Sequence, residues 1–215
     1  MKETRLIMSA SSHAPNNHDN PMPATGKGRD KTQSAHATGV GDRGRWSTQR
    51  IAVYALFVAL AIATSFIGIS IIPGVSYLKY DPSGIVCLIA GFAFGPAAAL
   101  IVSVLGFVPH LFVDPWGAVI AIAVSVLLSV PAAAIYRRLR TRQGALVGIV
   151  VGALLAFAGA IGLNLLITPL YLPGTTMAQV VKLIPILLLF NLVKFAINGV
   201  ITFLIYKPIS DLLNR

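Results

Sequence analysis

Residues 180–206 read VVKLIPILLLFNLVKFAINGVITFLIY, an apolar run that carries Asn191, Lys194 and Asn198 deep inside it. A helix of about 20 apolar residues, rising 1.5 Å per residue, crosses a hydrocarbon core of roughly 30 Å. This segment is therefore a membrane span. At about 100° per residue, positions 191, 194 and 198 fall within a sector of roughly 60°, so two amides and an ammonium project to one side. Lys194 lies twelve residues beyond Lys182, roughly 18 Å along the axis and too deep to reach the interface easily. Polar groups cost several kcal/mol in hydrocarbon, so such a stripe faces a bundle interior or a water-filled cavity. It reads either as a ligand-facing site or as hydrogen-bonding glue between helices.

The composition agrees with a membrane protein: 56% of the 215 residues are hydrophobic and 11% are charged. A formal net charge of +10 would suggest nucleic acid in a soluble chain. Here the cations lie in the amino-terminal tail and in the loops between apolar runs, where they set topology, and nucleic-acid binding is not expected. The single cysteine, Cys87, sits in an apolar run, which excludes a disulfide framework and Cys-cluster metal sites. The tail histidines His13, His18 and His36 are too irregularly spaced to suggest a metal site.

Residues 1–45 are rich in Ser, Asn, Pro, Gly and His with almost no apolar clustering, and read as a disordered basic tail. Residues 46–215 form the transmembrane domain. The first span runs from Ile51 to Ile72, and within it Ala55, Ala59 and Ala63 repeat every four residues. That spacing makes a face on which a partner helix could approach closely, although Ala is also simply common in membrane helices. Pro73-Gly74 ends the span and opens a loop with Tyr77, Lys79, Tyr80 and Asp81, suited to an interface or a lid. A short apolar run follows from Ser83 to Phe94, then Ala97 to Val113, Gly117 to Tyr136, Gly144 to Leu166, and the closing span. Trp116 fits an interfacial belt, and Pro185 predicts a kink. In the fifth run Gly148, Gly152, Ala156, Ala160, Asn164 and Thr168 follow at intervals of four, so a small-residue groove leads to Asn164.

These runs predict an all-α integral membrane protein of six transmembrane helices, the second one short. With both termini cytoplasmic, Arg43, Arg45, Arg50, Arg137, Arg138, Arg140, Arg142, Lys207 and Arg215 lie inside, and only Lys79 and Lys182 outside. Loops 73–82, 109–116 and 168–179 then face outward, the side from which a ligand would arrive. A G-x-x-x-x-G-K-[ST] loop, H-E-x-x-H, G-x-S-x-G and paired intramembrane carboxylates are all missing from the sequence. Asp81, Asp114 and Asp211 stand at loops or helix ends, and His110 reads as an anchor or loop residue. No catalytic residues, metal or cofactor are expected. The chain does not read as an enzyme.

Three stretches, YLKYDPSGIVCLIAGFAFGP, NLLITPLY and FNLVKFAINGVITFLIYK, together with six passages and a short second helix, resemble the substrate-binding S component of energy-coupling factor (ECF) transporters, and among them the riboflavin-specific subfamily. The similarity runs from about residue 47 to 210. It implies a subunit of the cell membrane that captures riboflavin or a related flavin from outside and couples to a separate T component and two ABC ATPases. It further implies that the Ala55, Ala59 and Ala63 face docks the T component. The implied ligand set is Asn164, Asn191, Lys194, Tyr77, Lys79, Trp116, Thr168 and Tyr171. A flavin fits this set chemically, because its pyrimidine edge offers two carbonyl acceptors and one N–H donor to amides and an ammonium. An S component for thiamine, folate or pantothenate, or a structural membrane protein without a transport role, are the alternatives.

Overall fold

The computed structural model describes residues 48–73, 78–171 and 176–213; the 1–45 tail, Tyr77 and the side chain of Tyr171 lie outside the described residues. Six helices follow in order: α1 Thr48–Ser65, α2 Ser83–Phe94, α3 Pro96–Leu105, α4 Pro115–Leu139, α5 Arg142–Tyr171 and α6 Met177–Leu213. Between α1 and α2 the chain makes a minimal antiparallel hairpin, β1 Ile69–Ser70 against β2 Lys79–Tyr80, with Ile69 opposite Tyr80. A 3-10 helix, Val108–Phe112, links α3 to α4. By length and apolar composition α1, α4, α5 and α6 are full membrane spans, and α2 and α3 are shorter apolar helices.

Two expectations are corrected. The first helix stops at Ser65, not Ile72, because the β-branched residues Ile67, Ile69, Ile71 and Ile72 around Gly68 suit an extended chain. Pairing of Ile69 with Tyr80 then satisfies backbone groups that a helix would otherwise have bonded. The third helix is short as well, ten residues. Pro109 has no N–H to continue an α-helical ladder, and a 3-10 turn takes over from Val108. By contrast α6 continues through both Pro185 and Pro208 as one helix.

How a twelve-residue helix survives in a bilayer follows from its surroundings. Every residue of α2 from Ser83 to Ala93 is buried, so its unpaired terminal backbone groups meet protein rather than lipid. One apolar cluster joins Leu88 and Phe92 of α2 to Leu128, Ile149 and Phe195 of α4, α5 and α6. A second packs Phe57 and Ala61 of α1 and Val102 of α3 against Val86, Cys87 and Ala90. Gly95, at φ 92°, turns the chain from α2 into α3, where Pro96 provides the first helical residue.

The four-residue spacing in α5 has a direct packing consequence. A side chain at Gly148 would meet the carbonyl oxygen of Ala132 at 2.6 Å, and one at Gly152 would meet that of Leu128, so α4 and α5 touch through their backbones. Ala156 and Ala160 continue the seam, at 0% and 2% exposure. Close approach of this kind is what stabilises helix pairs where lipid removes the hydrophobic driving force. Between α3 and α4 the joint is polar: Ser103 and Ser129 hydroxyls lie 2.9 Å apart, and Ser129 donates to the Ser125 carbonyl at 2.8 Å.

Candidate functional site

The polar stripe of α6 meets the segment that follows the hairpin. Lys194 Nζ donates to Asp81 Oδ2 at 2.7 Å, with the two side chains 19% and 12% exposed. Asp81 Oδ1 in turn accepts from the Ser83 backbone N–H at 3.2 Å and from the Ser83 hydroxyl. The carboxylate is thus held at the start of α2 by its own local turn and presented to the ammonium. One turn further along α6, Asn198 Oδ1 accepts from the Tyr80 hydroxyl at 3.0 Å. Burial first, and the Asp81 charge second, push the Tyr80 phenol above its ordinary value and keep it a donor. Asn198 reaches this position because residue 84 is glycine: any side chain there would collide with its amide nitrogen.

Asp81 is therefore not simply a loop residue; it is buried, at 9% exposure, in the middle of the site. A lone buried carboxylate would attract a cationic ligand, but the Lys194 ion pair leaves no net negative charge for one. Lys194, Asn198, Ser83 and Ser125 also line a small cavity of about 30 Å³, large enough for one or two water molecules.

Asn164 and Asn191 behave alike. Each donates one amide hydrogen to the carbonyl four residues back on its own helix, Asn164 to Ala160 at 2.7 Å and Asn191 to Leu187 at 2.8 Å. Each keeps an Oδ1 acceptor and a second N–H donor without a protein partner among the described residues. Asn191 is buried and Asn164 half-buried. Thr168 is buried on α5, Lys79 is exposed on β2, and Trp116 is exposed in the first turn of α4, whose amino terminus Asp114 caps by accepting from the Gly117 N–H at 3.0 Å. Lys194 is thus brought into contact with Asp81, whereas Lys79 makes no ion pair among the described residues.

The sequence reads Tyr80 and Asp81 only as residues of an interface or lid loop and does not single out Ser83. Asp81, Tyr80 and Ser83 join the stripe through contacts as long as 118 residues in sequence, which no local pattern encodes. The stripe itself continues along α6 to Thr202 and Tyr206, both buried, and the regular spacing from Asn191 is the signal that could have extended it. His110 ties the end of α1 to the 3-10 helix, its Nε2 lying 2.8 Å from the Ser65 hydroxyl and its ring stacking on Phe66. On α1, Ala55, Ala59 and Ala63 are all exposed, opposite the buried Tyr54, Phe57 and Ala61.

Comparison with known proteins matches residues 49–210 to the family of substrate-specific components of ECF transporters. The chain belongs to this family. It is a multi-pass plasma-membrane protein and a transporter subunit rather than an enzyme, and ECF S components pair with a T component and ATPases. Membership sets aside a purely structural helix-packing role. The riboflavin transporter RibU of Staphylococcus aureus (strain TCH60) is 24% identical over 176 residues, covering 78% of this chain and 93% of that protein. A solved structure described as the S component of a bacterial ECF transporter is similar at a TM-score of 0.66 and 26% identity, covering 78% of this chain and 98% of the other.

Proposed function

We propose that this S component captures riboflavin from outside the cell, with both termini cytoplasmic, and docks on its T component through the Ala55, Ala59 and Ala63 face. The observation that carries the flavin reading is the pair Asn164 and Asn191. Each anchors its amide on its own helix and leaves one acceptor and one donor without a partner among the described residues, a complement to the carbonyl and N–H groups of a pyrimidine edge. Similarity to a riboflavin transporter over nearly its whole length supports the same ligand. The Lys194–Asp81 pair would hold the base of the outer loop against α6 beside that edge. Lys79, Trp116, Thr168, Tyr77 and Tyr171 complete the proposed ligand set.

Orientation rests on charge. Arg142 and Lys207 line one cavity at the same end of the bundle, which supports a single basic, cytoplasmic end. On α1 the alanines are exposed at three successive turns beside exposed Leu56 and Leu60, which supports a helix-docking surface for the T component.

Purification from cells tests the ligand directly. The expected sample is yellow and, stripped of flavin, quenches added riboflavin fluorescence to a one-to-one end point; Asn164→Leu and Asn191→Leu each weaken the titration about 5- to 150-fold, the worth of one buried hydrogen bond of about 1–3 kcal/mol. A colourless protein that fails to quench riboflavin but binds thiamine, folate or pantothenate would transfer the site to another vitamin.

A further inference from the structure

Away from the polar stripe, α5 and α6 line a groove of about 430 Å³. Every residue lining it is apolar, with Val150, Ala153 and Leu154 on one wall and Ala196, Gly199 and Val200 on the other. On α6 the lining runs from Leu192 to Leu204. Those twelve steps measure about 18 Å, a little over half of a hydrocarbon core of roughly 30 Å. A partner's transmembrane helix would need a channel the full length of that core. The groove matches one leaflet.

At its basic end the groove opens into a second cavity, of about 510 Å³, and Phe203 and Leu204 line both. Arg142, Lys207 and Tyr206 supply the polar lining of this second cavity. Neither cation makes an ion pair among the described residues. Tyr206 is 3% exposed, yet its hydroxyl has no hydrogen-bond partner among the described residues. Two cations and an unsatisfied buried hydroxyl meet where an apolar one-leaflet groove ends. That combination has the shape of a lipid molecule, with an anionic head and a hydrocarbon tail.

We propose that α5 and α6 form a binding site for one anionic glycerophospholipid, its phosphate held by Arg142, Lys207 and the Tyr206 hydroxyl and one acyl chain lying in the groove. A guanidinium suits the phosphodiester because it offers paired N–H donors, and the tail fills apolar surface that small residues at 153, 196 and 199 leave open. None of these residues belongs to the proposed vitamin site, so the two sites fail independently.

The test is native mass spectrometry of the full chain with phosphatidylglycerol or phosphatidylcholine of matched chains added at equal concentration. Phosphatidylglycerol is expected to be retained in preference, as a single adduct. Arg142→Gln combined with Lys207→Gln should weaken it about 25-fold, roughly fivefold per cation removed, while the vitamin titration stays unchanged. Ala196→Phe, which fills the groove and leaves the cations in place, should also reduce the adduct, and it decides the matter if the double variant cannot be purified. Equal retention of the two lipids, an undiminished adduct in Ala196→Phe or in the double variant, or displacement of phosphatidylglycerol by equimolar inorganic phosphate would each overturn the proposal.

Discussion

Removing Lys194 is expected to destabilise the protein, and removing Asp81 with it to restore much of the loss. At an N–O separation of 2.7 Å, Coulomb's law with an effective dielectric of about 20 gives roughly 6 kcal/mol of attraction, against which the desolvation of both ions is set. Breaking a fully buried pair costs about 3–5 kcal/mol because the remaining charge is stranded. Both side chains here keep some solvent access, 19% and 12%, which lowers the expectation for Lys194→Met to about 2–3 kcal/mol, or a drop of about 4–12 °C in Tm for a chain of this size. Asp81→Asn should be milder, since the Asn side-chain carbonyl still offers an acceptor to the Lys194 ammonium and to Ser83. In Asp81→Asn/Lys194→Met neither charge is orphaned, and a coupling energy of about 1–3 kcal/mol should appear in the cycle. Thermal unfolding in detergent, followed by tryptophan fluorescence, supplies the four stabilities, and riboflavin titration on the same samples separates the two uses of the ammonium. Recovery of stability without recovery of binding means that Lys194 also meets the ligand; recovery of both means that it serves only to hold the loop. Strictly additive losses would refute the coupling, and with it the idea that this ion pair fastens the start of α2 to α6.

Tyr80→Phe removes the hydroxyl that Asn198 accepts from, leaving a fully buried amide with neither group bonded, and should cost about 1–3 kcal/mol in thermal unfolding; an unchanged Tm would mean that the amide finds another partner. Gly152→Val forces a branched side chain against the Leu128 carbonyl and should abolish stable expression or lower Tm by more than Lys194→Met does, as read by size-exclusion chromatography and melting. Ala59→Trp adds bulk to the exposed face of α1 and should leave vitamin binding intact while eliminating ATP-driven uptake in cells carrying the T component and ATPases. Normal uptake at normal expression would move the docking surface elsewhere.

Most of the helical scaffold was readable because uncharged runs of bilayer length leave little choice of structure. The α4–α5 seam was equally readable, from small residues every fourth position in α5. Less accessible was the end of α1. Residues 66–72 are as apolar as the helix before them, and although their isoleucines suit an extended chain, it is the pairing with Lys79 and Tyr80 that fixes where they leave it. Pro109-His110 already marked the close of the third run, but that the α-helix stops at Leu105 was not legible, because Gly106, Phe107 and Val108 continue its apolar composition. For the site, helical spacing placed Asn191, Lys194 and Asn198 on one side, yet their partners come from 113 and 118 residues away. Periodicity can say which way a side chain points; it carries no information about which loop returns to meet it.

Cys87, completely enclosed between α1, α2 and α3, is the chain's only cysteine. A thiol sealed in apolar packing reacts slowly with maleimides and methanethiosulfonates, so the natural protein already behaves as a silent background for labelling. A spin label or fluorophore on a cysteine introduced at exposed Ser70 of the hairpin would therefore report that position alone. Distances from the hairpin to a second label on the helical body could then be followed as vitamin is added and as the partner subunits assemble, without disturbing the helix on which the rest of the bundle is built.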